Sequence, residues 1–316
     1  MAQPTNGGGG RDGAGRDGPG RDGPGREGTP SREGAGREGP PSREGGREGR
    51  VEPWGKERPL ISFRNVYKSF GPKHVYTGLD LDVYEGEALV ILGGSGVGKS
   101  VMLKILIGLL TPDRGSVKFR GEEVVGMSED KLAEVRQRIA FLFQSAALFD
   151  SLSVYDNVAY ALNEHHFRTM SKADIGRRVS WALELVGLPG TEGMRPADLS
   201  GGMRKRVGLA RAIALQPEVL LYDEPTTGLD PINTTRINRL ITGLQRALNI
   251  TSIVVTHDMR SAFEIADRLA MVHRGRIILQ DKNEAFKKAN DPRVRDFIDG
   301  RAPEAESVES LLGDLG

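Results

Sequence analysis

The chain has 316 residues, 38% of them hydrophobic, and its 44 Lys and Arg nearly balance 43 Asp and Glu. That is enough chain for one globular domain with a sizeable core plus a tail or small second lobe, and the near-zero net charge leaves no global field to draw it to nucleic acid or an anionic membrane. The lack of cysteine removes disulfides and thiolate metal sites and fits a reducing compartment.

The first six residues, Met1 to Asn6, and the glycines after them carry no apolar core of the signal-peptide kind, and no stretch approaches membrane-spanning length. The expectation is a cytoplasmic protein whose membrane contact is indirect, through a partner. Residues 7 to about 50 repeat a Gly-Arg-Asp/Glu-Gly unit with Pro and Ala interspersed. Such a segment cannot bury a core, so residues 1–58 are expected to be a disordered, solvated tether. The repeat is no strict Gly-X-Y triplet, which excludes collagen, and its paired signs leave little charge to grip a polyanion.

Order is expected from about Pro59. Leu60 to Tyr67 and Leu79 to Val83 have the period-2 pattern of half-buried strands and predict a small antiparallel lobe. Ala88 to Leu92, Val219 to Tyr222 and Ile253 to Val255 are short apolar runs that end abruptly, as central strands of a parallel sheet do. Between the first two, residues 128–198 are polar and read as helical, without strand-like runs, hence as a helical subdomain inserted into an α/β core. Leu269 to Val272 and Ile277 to Leu279, joined through Arg274 and Gly275, predict a late hairpin at the sheet edge. The expected domain is 59–283, followed by a helical extension over 284–316.

Gly93-Gly94-Ser95-Gly96-Val97-Gly98-Lys99-Ser100 matches the P-loop pattern, after a predicted strand and before an amphipathic helix from Val101 to Leu110. Backbone N–H groups must converge on one anion, and a side chain on the inner surface would block them; hence the glycines. The helix N-terminus adds partial positive charge, Lys99 a full charge for the β- and γ-phosphates, and Ser100 a hydroxyl for Mg²⁺. The pattern implies a bound nucleoside triphosphate. The strand Val219 to Asp223 ends in adjacent carboxylates: Asp223 can hold Mg²⁺ through water and Glu224 can orient and deprotonate an attacking water. Leu199-Ser200-Gly201-Gly202-Met203 stands before a helix, with Ser200 a plausible N-cap and glycines that expose amides, a second anion-binding helix start.

Leu-Ser-Gly-Gly shortly before the acidic strand end, about a hundred residues after a P-loop, resembles the signature of the ABC ATPase family. The resemblance spans about Leu60 to Gln280. It implies the α/β P-loop ABC ATPase fold: a mainly parallel central sheet, an antiparallel β subdomain and an inserted helical subdomain. It also implies ATP with Mg²⁺, and assigns Phe70 to adenine stacking, Val101 to the nucleotide site, Gln144 to the metal shell and to sensing a transmembrane partner. Asp230, in Gly228-Leu229-Asp230, falls in the loop that lines the dimer interface, and His257 is the switch histidine on the γ-phosphate. His74, His165, His166 and His273 lie at no motif and read as surface or packing residues. A signature turn that cannot reach its own P-loop implies a head-to-tail homodimer, with Ser200, Gly201 and Gly202 of one copy completing the other's site.

Phe141-Leu142-Phe143-Gln144-Ser145-Ala146-Ala147-Leu148-Phe149, the run Val154 to Ala159, Met203 after the signature glycines, Val101 after Lys99-Ser100, and Asp291 to Gly300 resemble the ATPases of the Mla and mammalian-cell-entry (Mce) phospholipid transporters. This resemblance implies a permease, an Mce-domain lipid-binding protein, a possible STAS-domain protein, and a peripheral place on the cytoplasmic side of the inner membrane. Two alternatives stay open: an importer of polar amino acids or other small solutes, and a non-transport ABC ATPase regulating cell division. The apolar face of Val294, Phe297 and Ile298, and the stripe of Val308, Leu311, Leu312 and Leu315, either fold back on the domain or dock on a second subunit or accessory protein.

Overall fold

The computed structural model describes residues 58–166 and 169–301. The predicted tether and the stripe from Val308 to Leu315 lie outside the described residues, and so do the side chains of His165 and His166.

The first hairpin pairs β1 (Ile61–Phe70) with β2 (Lys73–Val83). Both strands run further than the period-2 pattern indicates, because the backbone ladder continues to Phe70↔Lys73 after the apolar alternation stops. β4 (Arg114–Phe119) and β5 (Glu122–Glu123) complete a four-stranded antiparallel sheet in the order β2-β1-β4-β5. Its apolar side chains, among them Ile61, Phe63, Leu79, Leu81, Val83 and Val117, face one common core.

The second sheet has the order β10-β9-β3-β8-β7-β6. β3 (Ala88–Leu92), β7 (Val219–Asp223), β8 (Thr251–Thr256) and β9 (Arg268–His273) are buried almost throughout, as the apolar runs at their centres require of strands covered on both faces. Successive side chains of β3 enter opposite cores. Leu89 and Ile91 join the antiparallel sheet and α1 (Lys99–Leu106), whereas Ala88, Val90 and Leu92 join the helices on the other side. These are α3 (Val154–His166), α4 (Lys172–Leu185), α5 (Gly201–Ile213), α6 (Pro231–Leu248) and α7 (Met259–Ile265). β10 (Arg276–Lys282) closes the edge as the antiparallel partner of β9, the late hairpin expected from sequence.

One expectation is corrected. The stretch 128–198 is not free of strands: after α2 (Glu129–Arg138), β6 (Ile139–Leu142) pairs in parallel with β7, from Ile139↔Val219 to Leu142↔Tyr222. Four residues, two of them only half-buried at the sheet edge, leave too short an apolar signal to separate from the flanking helices. The helical insertion therefore begins beyond Gln144, with α3 and α4. Near the end, α8 (Asn283–Lys287) and α9 (Pro292–Asp299) follow, α9 capped by Asp291 and stopped at Gly300 in the left-handed region. Val294 is fully buried and Phe297 and Ile298 pack against the large core, so this stripe folds back on its own domain.

At the N-terminal ends of the strands, Glu87 and Arg268 form a buried ion pair at 3.3 Å. Burial pushes the Glu87 carboxyl up to about 8 against the pull of the guanidinium. Above that value the group is a carboxylate that Arg268→Ala strands, and removing one partner of a buried pair typically costs about 3–5 kcal/mol. The folded carboxyl then sits still further above its unfolded value, so folding takes up a proton and the deficit deepens as pH rises. Urea denaturation of Arg268→Ala should show a lower midpoint, with a larger gap from wild type at alkaline than at acid pH; an equal gap at both would count against the pair.

Candidate active site

Between β3 and α1 the chain turns through Gly93 to Gly98. Gly98 is the N-cap of α1 at φ +107, and a Cβ there would collide with the Val75 side chain and come within 3.1 Å of the Tyr76 ring. The Tyr76 hydroxyl donates to the Gly98 carbonyl, which clamps the loop onto β2. Lys99, 7% exposed, folds back across the loop and donates to the Gly93 carbonyl at 2.8 Å and that of Gly94 at 3.1 Å. Its ammonium is thus held at the mouth of a ring of loop atoms.

The register of the central strands aligns three loops. Leu92 pairs with Thr256 and Asp223 with Val255, so the residues that follow, Gly93, His257 and Glu224, leave the sheet at one edge. Ser100 Oγ donates to Asp223 Oδ1 at 2.6 Å. Glu224 sits at φ +48, left-handed backbone that a non-glycine residue adopts at some cost. Its amide donates to the Val255 carbonyl at 3.0 Å, and its carboxylate lies 3.5 Å from Lys99 Nζ, 3.0 Å from His257 Nδ1 and 3.3 Å from Thr227 Oγ1. The carboxylate is mostly buried while His257 is 60% exposed, so the histidine reaches it from the solvent side.

These groups open on a cleft of about 520 Å³ lined by Phe70, Ser95, Gly96, Gly98, Lys99, Ser100, Val101, Gln144, Glu224 and His257, together with Lys73 and Val75. Phe70 is 46% exposed at the end of β1, where it lines the cleft with Lys68 Nζ 5.2 Å from its ring centroid. Gln144 reaches the cleft because β6 ends beside β7. After it Ala146 and Ala147 both have positive φ, and Arg211 of α5 donates to both their carbonyls at 2.8 Å. Gly93, Gly94 and Val97 shape the loop from behind: a Cβ on Gly93 would meet the Val272 carbonyl at 2.8 Å and Val97 at 2.9 Å. Lys73 and Val75 were missed in the sequence; they stand just past Phe70-Gly71, and the turn that brings them over the P-loop is a property of the hairpin.

Ser200, Gly201, Gly202 and Asp230 do not line this cleft. Ser200 caps α5, accepting from the Met203 amide at 3.2 Å, and both it and Gly201 are exposed. Asp230 caps α6, accepting from Ile232 and Asn233 amides at 3.0 Å, which holds its carboxyl below the usual range. Asn233 in turn packs where a Gly202 Cβ would be, at 3.0 Å. Of the other histidines, His74 is exposed beside Ser69 Oγ and His273 is half-buried on β9.

Residues 76–227 match the model of the ABC transporter family. The chain is 40% identical over 243 residues to the intermembrane phospholipid transport system ATP-binding protein MlaF of Haemophilus influenzae, covering 77% of this chain and 91% of that protein. It belongs to the ABC transporter family. MlaF of Escherichia coli matches equally, at 40% over 77% of this chain and 90% of its own length. A probable ribonucleotide transport ATP-binding protein, mkl of Mycobacterium leprae, is 40% identical over 81% of this chain and 72% of that protein. The ATP-binding cassette MJ0796, solved as a dimer in a post-hydrolysis state bound to ADP and Pi, superposes with TM-score 0.65 at 30% identity, covering 71% of this chain and 98% of that one. The cassette cbiO1 of Clostridium perfringens gives 0.66 at 29%, covering 78% and 100%. The chain is therefore a nucleotide-binding ATPase of the ABC fold. Among its described residues no helix is long and apolar enough to cross a membrane.

For this cassette, Gly98→Ala forces a side chain into Val75 at a backbone angle that L residues avoid. ATP affinity should fall at least tenfold while the far-UV spectrum stays folded; wild-type affinity would show that the loop does not need this glycine.

Proposed function

We propose that the cleft binds ATP and that Glu224 is the base for its hydrolysis. The carrying observation is one carboxylate set between a buried ammonium and a histidine, at the mouth of a P-loop. The adenine stacks on Phe70, which leaves the triphosphate over residues 93 to 101, with Lys99 and the loop amides on its β- and γ-phosphates. Glu224 takes a proton from the attacking water, and His257 orients Glu224 and contacts the γ-phosphate. The oxygen donors of Ser100, Asp223 and Gln144 suit a hard cation such as Mg²⁺, which would neutralise phosphate charge.

Two copies associate head to tail, each offering Ser200, Gly201, Gly202 and the Asp230 loop to the other's nucleotide. The exposure of the Ser200 turn, away from its own cleft, supports this arrangement. ATP then holds the dimer closed and cleavage releases it, a two-state cycle passed through the Gln144 loop to a permease. Residues 59–283 serve as the nucleotide-binding domain, with 284–316 as its extension and 1–58 as a tether. General-base assistance contributes about 10²- to 10⁴-fold to rate, so Glu224→Gln should bind ATP, form an ATP-dependent dimer and hydrolyse at least a hundredfold more slowly. Normal turnover would remove Glu224 from this role.

The cargo is phospholipid moved between membranes, and the cassette itself sits on the cytoplasmic side of the inner membrane. The near-complete span of MlaF, and the resemblance through Phe141 to Phe149 and at Met203, support this. The partners are a permease, an Mce-domain protein and a STAS-domain protein. Ribonucleotide transport is the second reading, favoured by the mycobacterial relative's name. Isolating the tagged cassette from membranes and measuring its ATPase in phospholipid vesicles separates them: co-isolation of a permease with an Mce-domain protein and stimulation by lipid are expected. Stimulation by ribonucleotides without lipid dependence would reverse the assignment.

A further inference from the structure

Lys205 lies on α5, five residues after the Ser200 cap, and is 6% exposed. Its ammonium is directed at backbone: Nζ donates to the Thr227 carbonyl at 2.9 Å and to the Glu224 carbonyl at 3.4 Å. These are the two ends of the turn Glu224-Pro225-Thr226-Thr227, which is also closed by the Thr227 amide on the Glu224 carbonyl at 3.3 Å. Within that turn Glu224 sits at φ +48, a conformation that persists only when its surroundings over-determine it. From the front, Lys99, His257 and Thr227 hold its carboxylate; from behind, Lys205 holds its carbonyl.

Resting on the assignment of Glu224 as base, we propose that Lys205 is a positioning residue for ATP hydrolysis: it pins both ends of the strained Glu224 turn and couples that turn to the helix bearing Ser200. Burial pushes its ammonium down to about 8, with the Glu224 charge pulling the other way, so the site bears a real desolvation cost that a side chain serving only solubility would avoid. A second contact runs the same way, since Asn233, held by the Asp230 cap, fills the space beside Gly202. The helix start offered to one nucleotide and the base serving the other thus move as one body. Slack at Lys205 releases Glu224 toward ordinary backbone angles and turns its carboxylate away from the water it activates.

Lys205 does not line the cleft, so its loss should spare ATP binding and slow the chemical step. In Lys205→Met, which preserves bulk without a donor, kcat should fall about tenfold or more with ATP Kd within twofold of wild type, and Lys205→Gln, which restores a donor, should recover part of the loss. A kcat within twofold of wild type in Lys205→Met, or parallel loss of kcat and affinity, overturns the proposal. Should Lys205→Met fail to fold, Lys205→Gln decides: its shorter donor cannot span both carbonyls, so an unchanged kcat overturns the proposal and a reduced one at unchanged Kd sustains it. Glu224→Gln assayed alongside separates the two claims. If it hydrolyses normally the base assignment fails, whereas an inert Glu224→Gln beside a fully active Lys205→Met defeats the positioning role alone.

Discussion

The parallel ladder of β7, β8 and β3 sets the position of nearly every polar group in the cleft. Because Leu92 is level with Thr256 and Asp223 with Val255, the P-loop, the histidine loop and the acidic turn all emerge from one edge of a sheet covered on both faces. Strands with no solvated face cannot slip by one residue without turning a full set of apolar side chains into the wrong core. The 3.0 Å and 3.5 Å separations at Glu224 are therefore held by packing well away from the chemistry.

Two strained turns flank the cleft, and one helix braces both. Glu224 and the pair Ala146–Ala147 occupy left-handed backbone, and their carbonyls accept hydrogen bonds from Lys205 and Arg211, six residues apart on α5. Gly208 lies between them, where a Cβ would stand 3.0 Å from Ala146, so the helix approaches the Gln144 loop closely. α5 begins at the Ser200 turn. In the proposed head-to-tail pair, a displacement of that helix would reach both the Glu224 turn and the Gln144 loop, which would link hydrolysis to transport.

The two ends of the sheet differ in what they store. At the N-terminal ends, the buried Glu87–Arg268 pair is flanked by Gln245, which donates to the carbonyl of Gly86 and to Asp267, the chain neighbours of that pair. At the opposite edge the chain keeps an exposed aromatic, an exposed histidine and unusual backbone angles.

The sequence by itself located most of the groups that the fold brings to one cleft. The P-loop, Glu224, Gln144 and His257 were legible, because phosphate chemistry demands particular residue types at fixed spacings along the chain; the Leu199-to-Met203 turn and Asp230 were legible as motifs but stand away from that cleft. The central strands were legible too, since burial on both faces leaves an unbroken apolar run. The short edge strand Ile139–Leu142, the contribution of Lys73 and Val75 to the cleft, and the choice of α9 to pack on its own domain were decided only in three dimensions. So was the role of Lys205, whose partners are carbonyl oxygens 19 and 22 residues away. A backbone carbonyl looks the same at every position of a sequence, so which ones a buried ammonium meets is settled by how α5 lies against the turn that follows β7.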